Sequence, residues 1–207
     1  MNGATISAPS FPRDLLEAAV DVGVLVRPPT TDTKYFAFAD PSGGSHDSFT
    51  SAVSHRDRDG SIVLDLLYER HAPFNPSEAV AEIAALLKTY SCSHVVGDKY
   101  AAKWVVEAFA KVGISYRHSD ADRSAVYLDC LPLFTSGRAR LIDNARLISQ
   151  FAGLERRTFP TGRDRIDHGR AGRDDLCNAC AGCLVLAARP AVNVVPMVGA
   201  LTYSPST

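Results

Sequence analysis

No apolar run in this sequence approaches the roughly 20 residues that a membrane-spanning helix requires, so a bilayer-crossing element is excluded as its organising feature. The opening Met1-Asn-Gly-Ala-Thr lacks a basic stretch followed by an apolar core, and no secretory signal is expected. Cysteine is scarce and odd in number. Five cysteines in 207 residues, without such a signal, point to free thiols in a reducing cytoplasm. No G-x-x-x-x-G-K-[ST] run occurs, so no phosphate-cradling loop for ATP is expected. Net charge is also nearly absent, at −1, which on its face argues against a nucleic-acid partner. What remains is a chain of ordinary apolar content, 46%, and of a length that suits one domain.

The charge is unevenly placed. Arginines stand at 138, 140, 146, 156, 157, 163, 165, 170 and 173. Such a segment either forms a solvated, salt-bridged face or grips phosphates.

The pattern along the chain divides it into residues 1–34 as a lead-in and linker, 35–188 as the folded domain, and 189–207 as an extended tail. The lead-in offers only a short helix from about Phe11 to Val20. Strands are expected at 35–40, 48–55 and 61–69, joined by short turns into an antiparallel meander. Helical spacing follows at 75–90, opened by Asn75-Pro76. A strand at 94–98, a helix at 101–112 and a strand at 114–116 come next, then helices at 121–134, 144–154 and 174–188. Arg140 to Ile142 reads as a small edge strand, and 156–172 as a polar, Arg-rich loop. Three antiparallel strands followed by parallel ones give a ribonuclease H-like α/β fold: a mixed five-stranded sheet with helices on both faces.

Within that arrangement acids arrive at corresponding places. Asp40 ends the first strand, in Tyr35-Phe-Ala-Phe-Ala-Asp40, before a Pro41 and Gly43-Gly44 turn. Asp98 ends the strand Val95-Val-Gly-Asp98. Asp174-Asp175 open the last helix. Parallel neighbouring strands bring the first two to one sheet edge, and the helix lies across it. Clustered carboxylates need a cation, and two divalent ions about 4 Å apart suit in-line displacement at phosphorus. Each acid also has a plainer role, as a turn residue for Asp40 and as a helix cap for Asp98 and Asp174. Asp47 in the glycine turn is an auxiliary ligand or a surface acid. His168 is a phosphate or metal contact or a loop histidine. Lys99 and Lys103 lie near Asp98 and suit phosphate neutralisation. The spacing Cys177-x-x-Cys180-x-x-Cys183 has the look of an iron–sulfur site, but it falls inside a helix with no fourth ligand nearby, so no cluster is expected.

These segments resemble the C-terminal nuclease domain of phage and prophage large terminase subunits. The resemblance rests on Phe38-Ala-Asp40-Pro-Ser-Gly-Gly-Ser-His-Asp47, Val96-Gly-Asp98-Lys-Tyr-Ala, Leu154-Glu-Arg-Arg157 and Ile166-Asp-His168, with Arg173-Asp-Asp175-Leu-Cys-Asn178-Ala after them. It implies a Mg²⁺- or Mn²⁺-dependent endodeoxyribonuclease that cuts double-stranded DNA during packaging, in the cytoplasm of a bacterial host. Asp40, Asp98 and Asp175 match the catalytic, metal-binding acids, with Asp174 and Asp47 beside them. Arg156, Arg157, Arg163, Arg165, His168 and Lys99 are the expected DNA contacts. The partners implied are double-stranded DNA, a portal, a small terminase subunit or a separate ATPase chain, and no membrane. The family's ATPase motor has no counterpart in this sequence, which is then a fragment, a split gene or a remnant. A catalytically inactive remnant that binds DNA or the packaging complex, and a junction resolvase of the same fold, are the alternatives.

Overall fold

The computed structural model describes residues 7–98, 102–159, 164–169 and 172–190. The elements in chain order are β1 (Ser7–Pro9), α1 (Arg13–Ala18), β2 (Val20–Asp21), β3 (Tyr35–Asp40), β4 (Phe49–Arg56) and β5 (Ile62–Arg70). They continue as α2 (Pro76–Thr89), β6 (His94–Gly97), α3 (Lys103–Lys111), β7 (Ser115–His118) and α4 (Arg123–Thr135). The last are β8 (Ala139–Ile142), α5 (Ala145–Ala152), β9 (Leu154–Thr158), β10 (Asp164–His168) and α6 (Asp175–Ala188).

The expected meander is present: β3, β4 and β5 pair antiparallel, and β6 then β7 add in parallel beyond β3. The sheet is larger than the five strands anticipated. Its order is β2-β8-β5-β4-β3-β6-β7, because β8 pairs parallel with β5 and β2 with β8. Thus β8 is an internal strand, not an edge. The segment read as a lead-in supplies β2 and buries Phe11 and Leu16 in the core. Two isolated aromatic and leucine positions without period gave too weak a signal to mark it.

The Arg-rich segment is the clearest departure from expectation. In place of a loop, β9 and β10 form an antiparallel hairpin, with β1 paired on its outer side. Leu154 and Ile166 turn inward, Arg156 pairs with Asp164 across the strands, and Arg157 with Glu155 and Arg165 with Asp167 pair along one strand each. A cross-strand ion pair supports a sheet as an apolar pair does, and charged residues at most positions leave little hydrophobic alternation to read. The 191–207 part of the expected tail lies outside the described residues.

Side chains alternate across the central strands. Phe38 and Ala52 face one core with α1, α4, α5 and α6; Ala37, Ala39, Phe49 and Val53 face a second core with α2 and α3. Helix α6 is apolar all round because it is enclosed, packed on β3, β4 and β5 beneath α4 and α5. Cys177, Cys180 and Cys183 are buried within it, free like Cys92 and Cys130. Burial pushes the Cys177 and Cys180 thiols well above their ordinary value, which leaves them protonated and unreactive. Ser54 Oγ donates to the Cys183 carbonyl at 2.9 Å and ties α6 to β4. No helix among the described residues is long and apolar enough to cross a membrane.

Gly182 makes the close approach of α6 possible. A Cβ there would stand 2.5 Å from the Phe38 ring. Gly182→Val is expected to lower unfolding free energy by at least ~2 kcal/mol in urea melts, the cost of overpacking a tight helix–sheet contact. An unchanged midpoint would show that α6 can lift from β3 freely, and that its position does not depend on this glycine.

Candidate active site

Sheet register places the first two acids. Ala39 pairs with Gly97 in the parallel β3–β6 ladder, so Asp40 and Asp98 are the next residues on adjacent strands at one edge. Thr50 pairs with Asp40 across β3–β4, and its Oγ1 donates to the Asp175 carbonyl at 2.7 Å. One residue therefore ties the start of α6 to the strand end that carries Asp40. Gln150 of α5 completes the anchor: its Oε1 accepts from the Leu176 and Cys177 amides at 2.8 and 3.1 Å. Those amides are among the orphan donors of a helix N-terminus, so a side chain from a neighbouring helix does the capping.

The two adjacent aspartates differ in environment. Asp174 is buried, and its side chain is fully engaged. Arg123 at the start of α4 donates Nη1 to both carboxylate oxygens, at 3.0 and 3.1 Å, and the Tyr127 hydroxyl donates at 3.0 Å. Asp175 has a buried Oδ2 with no hydrogen-bond partner among the described residues. Burial first, then the Asp174 and Asp47 charges, push its pKa above the usual carboxylate range. Asp40 is the most perturbed acid. Burial pushes it up to about 7 against the lowering effects of Arg123 and an Asn178 hydrogen bond, with Asp98 and Asp174 adding to the rise.

Arg123 is the electrostatic centre of the group. Beyond its bond to Asp174, its Nη2 lies 3.8 Å from an Asp98 oxygen. Burial works against its charge, but the Asp40 and Asp174 carboxylates outweigh that effect and hold the guanidinium above its ordinary pKa. A cation in the first turn of a helix opposes the helix dipole. That misplacement is the sequence signal that would have pointed to Arg123 and an external acid holding it. Asn178 stands in the motif read from the sequence, but its bond to Asp40 was not foreseen.

A cleft of about 440 Å³ brings together Asp40, Asp47, Asp98, Arg123, His168, Asp174 and Asp175. Asp47 sits exposed on the glycine loop, where Gly44 (φ +81°) leaves no room for a Cβ against the Phe74 carbonyl, 2.4 Å away. Among the described residues, one trio offers three ligand atoms all within 4.8 Å: Asp167, His168 and Asp174. Asp40, Asp98 and Asp175 share the cleft without closing to that distance; the Arg123 guanidinium lies between Asp98 and Asp174. Ligands divided between two ions have no need to lie all within one ion's reach.

Of the expected DNA contacts, His168 lies in the cleft, while Lys99 and Arg163 lie outside the described residues. Arg156 pairs with Asp164, Arg157 with Glu155 at 3.3 Å, and Arg165 with Asp167 at 3.1 Å. The hairpin thus neutralises much of its own charge. Lys103, exposed on α3, lies 3.7 Å from Glu107.

No family model and no curated protein matches the sequence. Solved structures do. The HK97 bacteriophage large terminase aligns at TM-score 0.70 and 16% identity over 88% of this chain and 44% of its own, so this chain spans less than half of that protein. The large terminase nuclease of thermophilic phage G20c, solved with bound magnesium, aligns at TM-score 0.69 and 18% identity, covering 82% of this chain and 94% of that one. A nuclease domain of the Sf6 large terminase subunit, solved with manganese and β-thujaplicinol, aligns at 0.62 and 16% over 86% and 98%. Likenesses at this identity establish architecture: the chain has the ribonuclease H-like fold that these large terminase nuclease domains share.

Proposed function

We propose that this chain is a divalent-metal-dependent endonuclease that hydrolyses phosphodiesters of double-stranded DNA, the nuclease part of a viral DNA-packaging terminase. The observation that carries the reading is the orphaned, buried Oδ2 of Asp175 in the same cleft as an Asp40 carboxylate pushed up to about 7. Buried carboxylate oxygens left without donors fit hard, oxygen-seeking cations such as Mg²⁺ or Mn²⁺. Asp40, Asp98 and Asp175 would hold two ions, with Asp47 as an auxiliary ligand from the glycine loop. When bound, such ions supply an activated water and neutralise charge at the scissile phosphate. Arg123 holds Asp174 and faces Asp98, and so orients the acids. His168, which lines the same cleft, would contact the phosphate. The G20c nuclease has been solved with magnesium, cobalt and zinc, in keeping with divalent-ion use here.

The 207 residues contain no G-x-x-x-x-G-K-[ST] run, so ATP-driven translocation is assigned to a different polypeptide segment. Portal, small terminase subunit and such a motor are the partners this role implies.

Plasmid cleavage tests the reading. The purified chain with Mn²⁺ is expected to nick or linearise supercoiled plasmid, EDTA to stop it, and Asp175→Asn to lower the rate at least ~100-fold, as loss of a charged ligand does. A folded Asp175→Asn variant as active as its parent would remove Asp175 from the metal site and shift the third ligand to Asp174. A wild type silent on plasmid yet stabilised by Mn²⁺ would favour a non-catalytic binding module.

A further inference from the structure

Helix α6 packs principally on β3, β4 and β5. Beyond it, toward β6 and β7, a groove of about 630 Å³ opens, with Phe36 and Val96 among its lining residues. Its charged lining is mostly basic, Lys34, Arg56, Arg117 and Arg189, with His94 and His118 beside them. The one acid there, Asp120, is highly exposed and stands 3.9 Å from Arg189. Lys34 sits 5.3 Å over the Phe36 ring, and no acid pairs with Lys34, Arg56 or Arg117 among the described residues. Burial first, then the Arg117 and Lys34 charges, hold the His94 imidazole below its ordinary pKa.

A small gap separates the groove from the catalytic cleft. Ser119 lines both the groove and this gap, which reaches Asp98, Arg123 and Asn178. His118 lies with its Nδ1 3.4 Å from the Asp98 carbonyl. An anionic chain leaving the metal acids along the sheet would meet Arg117 and His94, then Lys34 and Arg56. By contrast, the hairpin arginines already face acids of their own.

We propose that this groove binds the phosphate backbone of one strand of the DNA substrate as it leaves the catalytic cleft. The assignment deepens the nuclease reading and rests on it. Contacts of this kind are electrostatic, indifferent to sequence, and steeply salt-dependent through counterion release.

The test is binding of a fluorescently labelled DNA duplex by the full chain in EDTA, followed by anisotropy at several salt concentrations. Arg56→Glu/Arg117→Glu is compared with wild type and with Lys88→Glu on α2, which changes an exposed charge outside the groove. The double variant is expected to bind at least ~10-fold more weakly at 0.1 M salt, with a log–log salt slope smaller by about two, while Lys88→Glu shifts affinity less than ~2-fold. Arg56→Gln/Arg117→Gln, with intact thermal melting, gives the same ordering if charge reversal perturbs folding. Wild-type affinity and slope in either folded double variant overturn the groove. Plasmid cleavage by wild type is scored in parallel. Binding lost in the variant while wild type never cleaves leaves the groove standing and removes the nuclease reading. Cleavage by wild type with unaltered variant binding does the reverse.

Discussion

Asp40→Asn is expected to act in opposite directions on activity and stability. Metal-dependent plasmid cleavage falls by at least ~10³-fold, because the substitution removes a charged ligand from a strand end whose position the whole sheet fixes. In EDTA, the same variant is expected to be more stable than wild type at neutral pH. The sign follows from linkage. Burial raises the Asp40 pKa from 3.8 to about 7, so the folded chain binds its proton more tightly than the unfolded chain does. Full stability from this group is present below about pH 4. It is lost as pH rises to about 7, and the carboxylate then costs on the order of 4 kcal/mol. Asn has no charge to bury and keeps the shape. Melts of both proteins in EDTA from pH 5 to 8 check this. Wild type should lose stability across that range relative to Asp40→Asn, and saturating Mn²⁺ should remove the difference by stabilising wild type alone. Asp65 and Asp175 are also raised by burial and contribute the same sign in both proteins, so the comparison isolates Asp40. Parallel stability curves would mean that Asp40 stays solvated, and the argument for a built cation site would lose its strongest support.

The parts of this site carried by the hydrophobic pattern were legible in the sequence. The run from Tyr35 to Ala39 marks a buried strand, and Asp40 is where it leaves the core. Val95-Val-Gly97 does the same for Asp98, and the apolar, small-residue stretch after Asp175 marks an enclosed helix. What escaped was held together by charge or by distant contacts. Strands β9 and β10 carry Arg-Arg and Asp-Arg-Ile-Asp, with one ion pair, Arg156–Asp164, across them, a composition that period-2 hydrophobicity does not register. Arg123, at the first turn of α4, hints at an external acid, but nothing local shows that α4 begins beside the N-terminus of α6. Gln150 caps α6 from 26 residues away. Strand β2, two residues long, exists because β8 offers it an edge. Tertiary placement decides each of these, and no window of the sequence contains it.

Arg123→Gln separates the two readings of the acid cluster most sharply. In the metal-free protein it leaves the Asp174 carboxylate, 4% exposed, with Tyr127 as its remaining donor among the described residues, and removes a positive charge that acts on Asp40 and lies 3.8 Å from Asp98. Were this an ordinary surface ion pair, the loss would be at most ~1 kcal/mol. Breaking a buried pair from one side costs about 3–5 kcal/mol, and the 37% exposure of the Arg123 side chain places the expectation near the lower end, roughly 3 kcal/mol in EDTA. Divalent ions should recover more stability in this variant than in wild type, since they take over the neutralisation that Arg123 provided. Titration of the melting temperature with Mn²⁺ is therefore expected to show an apparent affinity about 10-fold tighter than wild type, equivalent to ~1.4 kcal/mol of coupling. Arg123→Lys should recover only part of the EDTA stability, because a single ammonium cannot hold Asp174 through one nitrogen and face Asp98 through a second. If Mn²⁺ stabilises wild type and Arg123→Gln equally, the guanidinium does not share the field of the ions, and its role is confined to anchoring Asp174 and with it the N-terminus of α6. If Mn²⁺ stabilises neither, Arg123 is the permanent cation of the cluster, and the fold is that of a module that keeps its acids without catalytic metal.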